Sequence, residues 1–230
     1  MCFILIYKVK EKIGMLSYNN FIMEKNNNDF LDIKEKMIKF WKKLETSNKN
    51  TDKKHFVLPN NYISPSPKKT EFSTDQYYWD SYFIILGLID SGDKYIKLSK
   101  QIVDNFVYMF DNYDIIPKSN KYYELGTTQP PFLTSMVLEV YEKTKDEKWL
   151  KKVVDICEKE LKTIWYKGYR NIDGLSRYAD NRLSNDSSED ESGWDLTSRF
   201  QGLCLYTLPV DLNSCLYKYE MDLSNIFTML

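Results

Sequence analysis

The sequence predicts an all-α fold in which helices buried on all sides alternate with helices that have one apolar face. Residues 81–88 and 130–141 are mostly apolar, as in helices surrounded by other helices. Residues 95–109 and 150–164 carry apolar side chains at three- and four-residue steps, which predicts amphipathic helices. This order favours a toroid of inner helices covered by outer ones, and an ordinary helical bundle fits the same pattern.

Two further helices and a long loop complete the predicted architecture. Asp29 is a suitable N-cap for a helix whose apolar residues recur at helical spacing up to Leu44. Residues 55–78 contain three prolines and no clear period, which predicts a long irregular loop. Long loops in compact domains are often functional. A last amphipathic helix is predicted at residues 212–219.

The N-terminal region is predicted to lie outside the domain. The polar run at residues 26–28 divides the chain into an extension, residues 1–28, and the domain, residues 29–230. The apolar run at residues 2–7 is too short to cross a bilayer, and it lacks the basic start and cleavage site of a signal peptide. We therefore expect the extension to be poorly ordered.

Composition and charge narrow the classes of function. The 230 residues include 32 basic and 33 acidic side chains, for a net charge of -1, which argues against a nucleic-acid partner or a polybasic membrane anchor. The four cysteines form no C-x-x-C pair and His55 is the only histidine, so we expect no metal and no cofactor. Scattered cysteines in a chain of this length are typical of reduced cytoplasmic proteins.

The segment at residues 77–82 is the first that carries chemistry. Its aromatic rings stand beside Asp80, so Trp79 could stack on a sugar while the carboxylate accepts a hydroxyl hydrogen bond. The alternative is structural, because Asp80 could cap the following helix with Trp79 packed beneath it.

Amide side chains mark a second region. Asn120 and Gln129 both donate and accept hydrogen bonds, as sugar hydroxyls require. Taken alone, residues 127–131 are better explained as a loop before a helix that starts at Pro130 and Pro131.

The third segment, residues 191–199, contains the candidate general acid. Gly193 allows a tight turn, and Trp194 could shield the carboxyl of Asp195 from water, which raises its pKa. A carboxyl that keeps its proton near neutral pH can act as a general acid. Asp195 also fits the N-cap of a following helix, and the two roles are compatible. A fourth segment, residues 208–213, is interpreted mainly as a helix cap.

Together these segments resemble the trehalase family of glycoside hydrolases. The matching pieces are Tyr-Tyr-Trp-Asp-Ser-Tyr at 77–82, Gln-Pro-Pro-Phe at 129–132, Ser-Gly-Trp-Asp at 192–195 and Pro-Val-Asp-Leu-Asn-Ser at 209–214, in the family's order. Mannosylglycerate hydrolases and other relatives with the same barrel share a similar core.

The resemblance implies an (α/α)₆ barrel that hydrolyses an α-glycosidic bond with inversion, with trehalose as the leading substrate. It makes Asp195 the general acid and assigns sugar binding to Trp79, Asp80, Asn120 and Gln129. Further candidates for the binding set lie beside these motifs or carry a suitable charge, and they are Tyr78, Trp194, Arg199 and Arg182. The expected partner is a small carbohydrate.

Two positions depart from the family's pattern. Phe72 and Thr127 stand where trehalases carry arginines that clamp sugar hydroxyls. Arg177 or Arg182 could compensate for them. The loss makes an α-glucosyl- or α-mannosyl-glycerate the alternative substrate.

Length is a further departure. The resemblance puts the general base, a glutamate, in the C-terminal half of the barrel, whereas this chain ends at Leu230. Periodicity indicates about six of the twelve barrel helices, so we expect an incomplete (α/α)₆ toroid. Its inner helices would expose apolar faces unless a second chain completes the barrel. The alternative to an enzyme is a non-catalytic fragment that binds sugar or associates with a second chain.

Overall fold

The structure, a computed structural model, describes residues 23–46, 53–66, 70, 72–195 and 197–230. This part of the chain is mostly helical, as predicted. The helices are α1 (Met23–Leu44), α2 (Tyr78–Ile89), α3 (Asp93–Tyr113), α4 (Leu133–Thr144), α5 (Glu147–Glu160), α6 (Asn185–Ser192) and α7 (Val210–Met229). None of these helices is both long and apolar enough to cross a membrane.

Short strands and tight turns join the helices. Strand β1 (Glu45–Thr46) pairs antiparallel with β2 (Tyr62–Ile63), and β3 (Asn171–Ile172) pairs antiparallel with β4 (Leu175–Ser176). A π-helical turn, Leu161–Trp165, continues α5, and 3₁₀ turns lie at Tyr122–Glu124, Gly168–Arg170 and Cys204–Tyr206.

The core lies where α2, α3 and α4 pack against one another, with α5 and α7 packed on α4. The amphipathic spacing of α3 explains its place, because Ile102, Phe106 and Met109 recur on one face and are fully buried. α2 supplies Ile85 and Leu88 to the same core. Helices of this kind gain most of their stability from packing an apolar face.

A buried carboxyl links three of these helices. Glu160, at the end of α5, accepts hydrogen bonds from the hydroxyls of Tyr78 on α2 (2.8 Å) and Tyr219 on α7 (2.7 Å). The Tyr78 hydroxyl also accepts a hydrogen bond from the Leu133 backbone N–H at the start of α4 (3.1 Å). Because the start of α2 bears the first motif, this network fixes that motif in the fold.

Two predicted helix starts are wrong. α1 begins at Met23, so Asp29 lies inside the helix and is not its N-cap. α4 begins at Leu133 and not at Pro130, a residue whose helical conformation the following Pro131 disfavours. The prediction that the N-terminal extension is poorly ordered lies, for residues 1–22, outside the described residues.

Two predicted environments also need correction. α2 is not buried on all sides, since Tyr82, Phe83 and Leu86 are half-buried. Among its described residues the loop before α2 contains no helix, as predicted, but much of it is buried, including Phe56 and Asp75. The backbone of the loop forms hydrogen bonds with Asn105 on α3 and with the 118–124 segment, and this brings the loop to the site described below.

Candidate active site

A cleft of about 640 Å³ opens where the loop before α2, the 118–129 segment and the 182–195 segment meet. Its lining includes five of the residues predicted from the sequence: Trp79, Asp80, Gln129, Arg182 and Asp195. The rest of the lining comprises Pro65, Ser66, Phe72, Tyr77, Lys118, Lys121, Tyr123, Glu124, Thr127, Asp190 and Gly193. Segments that are distant in sequence therefore form one cavity.

The first turn of α2 presents Trp79 and Asp80 to the cleft. The Trp79 backbone N–H donates to Oε1 of Gln129 (3.2 Å), and the Tyr78 N–H donates to the Lys118 carbonyl (3.0 Å). Burial raises the pKa of Asp80 to about 6, and the charge of Asp195 acts in the same direction. The two carboxyls thus interact electrostatically within the same cleft.

The turn after α6 brings Asp195 to the cleft. α6 ends at Ser192, and Gly193 follows in the left-handed conformation (φ 72°) that glycine adopts without strain. A Cβ atom on Gly193 would lie 2.9 Å from the indole carbons of Trp79. A side chain at this position would therefore collide with the aromatic wall of the cleft.

The buried carboxylate of Glu191 anchors that turn. It pairs with the Arg170 guanidinium (2.5 Å) and accepts hydrogen bonds from the backbone N–H groups of Thr128 (3.1 Å) and Ala179 (2.5 Å). A fully buried ion pair with this many hydrogen bonds fixes geometry even where its net stabilisation is small. Glu191 therefore has a structural position and is not available to a ligand.

Trp194 does not shield Asp195 from water, in contrast to the interpretation of the sequence. The indole N–H of Trp194 donates to Oδ2 of Asp211 (3.0 Å), and Arg199 pairs with Oδ1 of Asp211 (2.5 Å) while its guanidinium lies 4.8 Å from the indole ring. Neither Trp194 nor Arg199 lines the cleft, and Asp195 is exposed. Asp211, interpreted from sequence mainly as part of a helix cap, organises this outer group.

Tyr78 and Asn120 lie beneath the cleft and not in it. Tyr78 is fully buried in the hydrogen-bond network with Glu160. Asn120 is also buried, and its Oδ1 accepts a hydrogen bond from the Gln76 backbone N–H (2.9 Å). Both residues hold in place the chain segments that carry cleft residues. Their presence in the motifs is therefore explained by this structural role, and no contact with a ligand is needed.

Arg182 reaches one of the two positions that depart from the family's pattern. Its Nη2 atom donates to Oγ1 of Thr127 (3.1 Å), and its guanidinium pairs with Asp180. Arg177 instead donates to the carbonyls of Tyr169 and Leu205, both at 2.9 Å, and does not line the cleft. Of the two arginines named as candidates for compensation, Arg182 is the one at the cleft.

Each cation in the described cleft lining is paired with a carboxylate. The three pairs are Lys118 with Asp190 (2.5 Å), Lys121 with Asp75 (2.6 Å), and Arg182 with Asp180. Asp80 and Asp195 add carboxyls to the same lining. The described walls therefore carry no excess of positive charge, and they suit an uncharged ligand better than an anion.

Sequence reasoning missed the aromatic and cationic group formed by Phe72, Tyr77, Lys121 and Tyr123. The sequence indicates Phe72 only as a departure from the family's pattern, and no motif contains Lys121 or Tyr123. A usable signal was present, because Lys121 and Tyr123 directly follow Asn120 in an unusually aromatic stretch.

Comparison with known proteins decides the family. The protein-family model for trehalase matches residues 7–192. The chain belongs to the trehalase family. The periplasmic trehalase of Xanthomonas campestris pv. campestris is 32% identical over 243 residues, covering 84% of this chain and 41% of that trehalase. The cytosolic neutral trehalase of Beauveria bassiana is 32% identical over 202 residues, covering 64% of this chain and 27% of that protein.

A solved trehalase structure agrees with the sequence comparisons. Neutral trehalase Nth1 from Saccharomyces cerevisiae matches with a TM-score of 0.68 and 28% identity, covering 80% of this chain and 42% of the trehalase. The helical fold of this chain thus corresponds to part of a trehalase fold, as the motif resemblance implied. This chain spans less than half the length of the trehalases it matches.

Proposed function

We propose that this chain carries the acid-bearing part of an inverting glycosidase site that hydrolyses α,α-trehalose to glucose. The observation that supports this most strongly is that the carboxyl of Asp195 and the Trp79–Asp80 pair line one cleft. The similarity to a periplasmic and a cytosolic trehalase supports trehalose as the substrate.

Asp195 is the proposed general acid. It donates a proton to the glycosidic oxygen while the bond from that oxygen to the anomeric carbon breaks, and water, which gives up a proton to the general base, attacks that carbon from the opposite face of the sugar. Inverting enzymes hold the acid and base carboxyls about 6.5–9.5 Å apart to admit that water. The two fully buried glutamates, Glu160 and Glu191, are engaged in the networks described above and are not candidates for the base.

The proposed sugar-binding set comprises the other predicted residues that line the cleft. Trp79 offers an aromatic face, while Asp80, Gln129 and Arg182 offer hydrogen-bonding groups to sugar hydroxyls. The buried or outward positions of Tyr78, Asn120, Trp194 and Arg199 favour supporting roles. The alternative glycerate substrate is disfavoured, because its carboxylate would enter a lining whose described cations are already paired.

A second candidate function is sugar binding without turnover. The observation that favours it is that no described residue is assigned as the general base, since Glu160 and Glu191 are engaged in buried networks. In this candidate function the chain binds sugar or associates with a second chain. The exposed apolar side chains of Tyr206, Val210 and Tyr217 would suit such a contact.

We also propose that the protein acts in the cytoplasm. The described cysteines, Cys157, Cys204 and Cys215, are all unpaired, which suits a reducing compartment. The relatives include both a periplasmic and a cytosolic trehalase, so family membership does not distinguish the two. Fractionation of the native cell tests this proposal, and recovery of the protein outside the cytoplasmic fraction would contradict it.

One experiment separates the two candidate functions. Trehalose binding and glucose release are measured on the purified chain and on its Asp195→Asn variant. A glycosidase should release glucose at a rate that the variant lowers by about 100-fold or more, as expected for loss of a general acid. Binding of trehalose with no release above the variant would support the second candidate. If the purified chain neither binds trehalose nor releases glucose, both candidate functions are contradicted.

A further inference from the structure

Lys121 lies almost fully buried in the wall of the cleft. Lysine is rarely buried unless it is paired, and here the ammonium is 2.6 Å from Oδ2 of Asp75. The second oxygen of Asp75 is 2.6 Å from Nε2 of His55. Burial acts to lower the pKa of Lys121, but the Asp75 carboxylate more than offsets this and holds that pKa above its usual value, so the charge is kept.

Three aromatic rings surround that charge. The Nζ atom of Lys121 lies 5.0 Å from the ring centroid of Phe72 and 5.6 Å from those of Tyr77 and Tyr123. It also donates to the Tyr77 hydroxyl at 3.3 Å. A cation over an aromatic face and within about 6 Å of its centroid is attracted to the ring, and the Tyr77 hydroxyl accepts a hydrogen bond, so one ammonium contacts all three side chains.

Two of these rings remain open to solvent although they are held in place. Phe72 is 43% exposed and Tyr123 is 68% exposed, and both line the cleft that contains Asp195. The backbone beside Phe72 is also anchored, since its carbonyl accepts a hydrogen bond from the Ser64 hydroxyl (2.8 Å). An immobilised, exposed aromatic surface loses little conformational entropy when it binds a ligand.

We propose that Phe72 and Tyr123 form a platform for the apolar face of a second pyranose ring, and that Lys121 is the residue that positions this platform. The inference rests on the proposed function, because it assigns the platform to the ring that does not lie against Trp79 and Asp80. Aromatic faces stack on the C–H faces of sugars. Because the charge of Lys121 is already paired with Asp75, the platform suits an uncharged ring.

The test compares the affinity for a two-ring sugar with that for a one-ring sugar. Dissociation constants for trehalose and for glucose are measured by titration calorimetry on the purified chain, with Asp195→Asn in every variant so that trehalose is not consumed. Tyr123→Ala should weaken trehalose binding about tenfold and leave glucose binding within about twofold. Tyr122→Ala is the matched control, because this neighbouring tyrosine is also exposed but does not line the cleft.

Lys121 is tested by removing and then restoring its charge. Lys121→Met should lower the ratio of trehalose to glucose affinity as Tyr123→Ala does, and Lys121→Arg should restore most of that ratio. Lys121→Met could fail to fold, because it leaves Asp75 buried without its lysine partner. In that case the Tyr123→Ala variant still tests whether the platform binds the second sugar ring.

The platform is wrong if Tyr123→Ala leaves both affinities unchanged or weakens both sugars by the same factor. These outcomes leave the proposed function intact, since the parent chain still binds trehalose. Failure of the parent chain to bind either sugar would contradict the platform and the proposed function together.

Discussion

The indole of Trp79 lies directly against the backbone of Gly193, so that a Cβ atom built on Gly193 would be 2.9 Å from two of its ring carbons. This contact joins the two tryptophan–aspartate segments, because Asp80 follows Trp79 and Asp195 lies two residues after Gly193. Glycine is required here by both space and conformation, since its φ is 72°.

Gly193→Ala should therefore damage both stability and ligand binding. We expect a loss of about 1–3 kcal/mol in the free energy of unfolding and weaker trehalose binding, since Trp79 must move. Gly174→Ala is the matched control: its φ is also positive, but in the described part of the chain no heavy atom beyond its two neighbours along the chain lies within 4 Å of an added Cβ. Denaturant unfolding and titration calorimetry measure the two effects. Equal effects of the two variants on trehalose binding would contradict the contact's role.

Glu160 makes stability depend on pH. Burial raises its pKa to about 7 in the folded chain, although hydrogen bonds from Tyr219 and Tyr78 partly oppose the shift. The folded state therefore binds this proton more tightly than the unfolded state. The stabilising contribution is complete below the ordinary pKa of Glu, 4.5, and is lost as pH rises through 7.

Relative to Glu160→Gln, the unmodified chain should lose stability on the order of 3 kcal/mol across that pH window. Denaturant unfolding at a series of pH values measures the difference between the two chains, so that other titrating groups cancel. Glu158→Gln, an exposed change on the same helix that breaks a pair with Lys162, should show no such trend. A difference that does not vary with pH would mean that Glu160 stays in one protonation state.

Arg182 should contribute to sugar affinity. Arg182→Gln removes the charge that reaches Thr127 at the cleft, and we expect trehalose binding to weaken about tenfold, the loss of a hydrogen bond to a charged donor. Lys100→Gln breaks an ion pair with Asp146 away from the cleft lining and serves as control. Similar affinities for the Arg182 variant and the parent chain would remove Arg182 from the binding set.

The cleft should prefer neutral sugars to anionic ones. Because Asp80 and Asp195 are not balanced by an unpaired cation in the described lining, α-glucosyl-glycerate should bind at least about fivefold more weakly than trehalose at low ionic strength. Added salt should narrow the gap, because it screens the repulsion between carboxylates. Tighter binding of the glycerate glycoside would favour the alternative substrate.

Local pattern predicted much of the helical fold. The three- and four-residue spacing located α3, α5 and α7, whose apolar faces pack into the core. It misplaced the start of α1, because the asparagine run before Asp29 has low helix propensity yet lies inside the helix. The spacing of apolar residues does not show where a segment of low helix propensity is nevertheless helical.

The candidate site was predicted only in part, because its remaining contacts are long-range. Motif order identified Trp79 and Asp195, but the direction of the Trp194 indole depends on Asp211, which lies in the first turn of α7. The platform around Lys121 depends on Asp75, and that residue lies in the long loop before α2. Neither pairing follows from spacing along the chain.

The dependence of the rate on the leaving group tests the central claim, that Asp195 protonates the departing oxygen. The kcat/KM values of the parent chain and of Asp195→Asn are compared for trehalose and for α-glucosyl fluoride, whose fluoride departs without a proton. The account predicts a loss of about 100-fold or more for trehalose and less than about tenfold for the fluoride. An equal loss for both substrates would contradict the role of Asp195 as general acid.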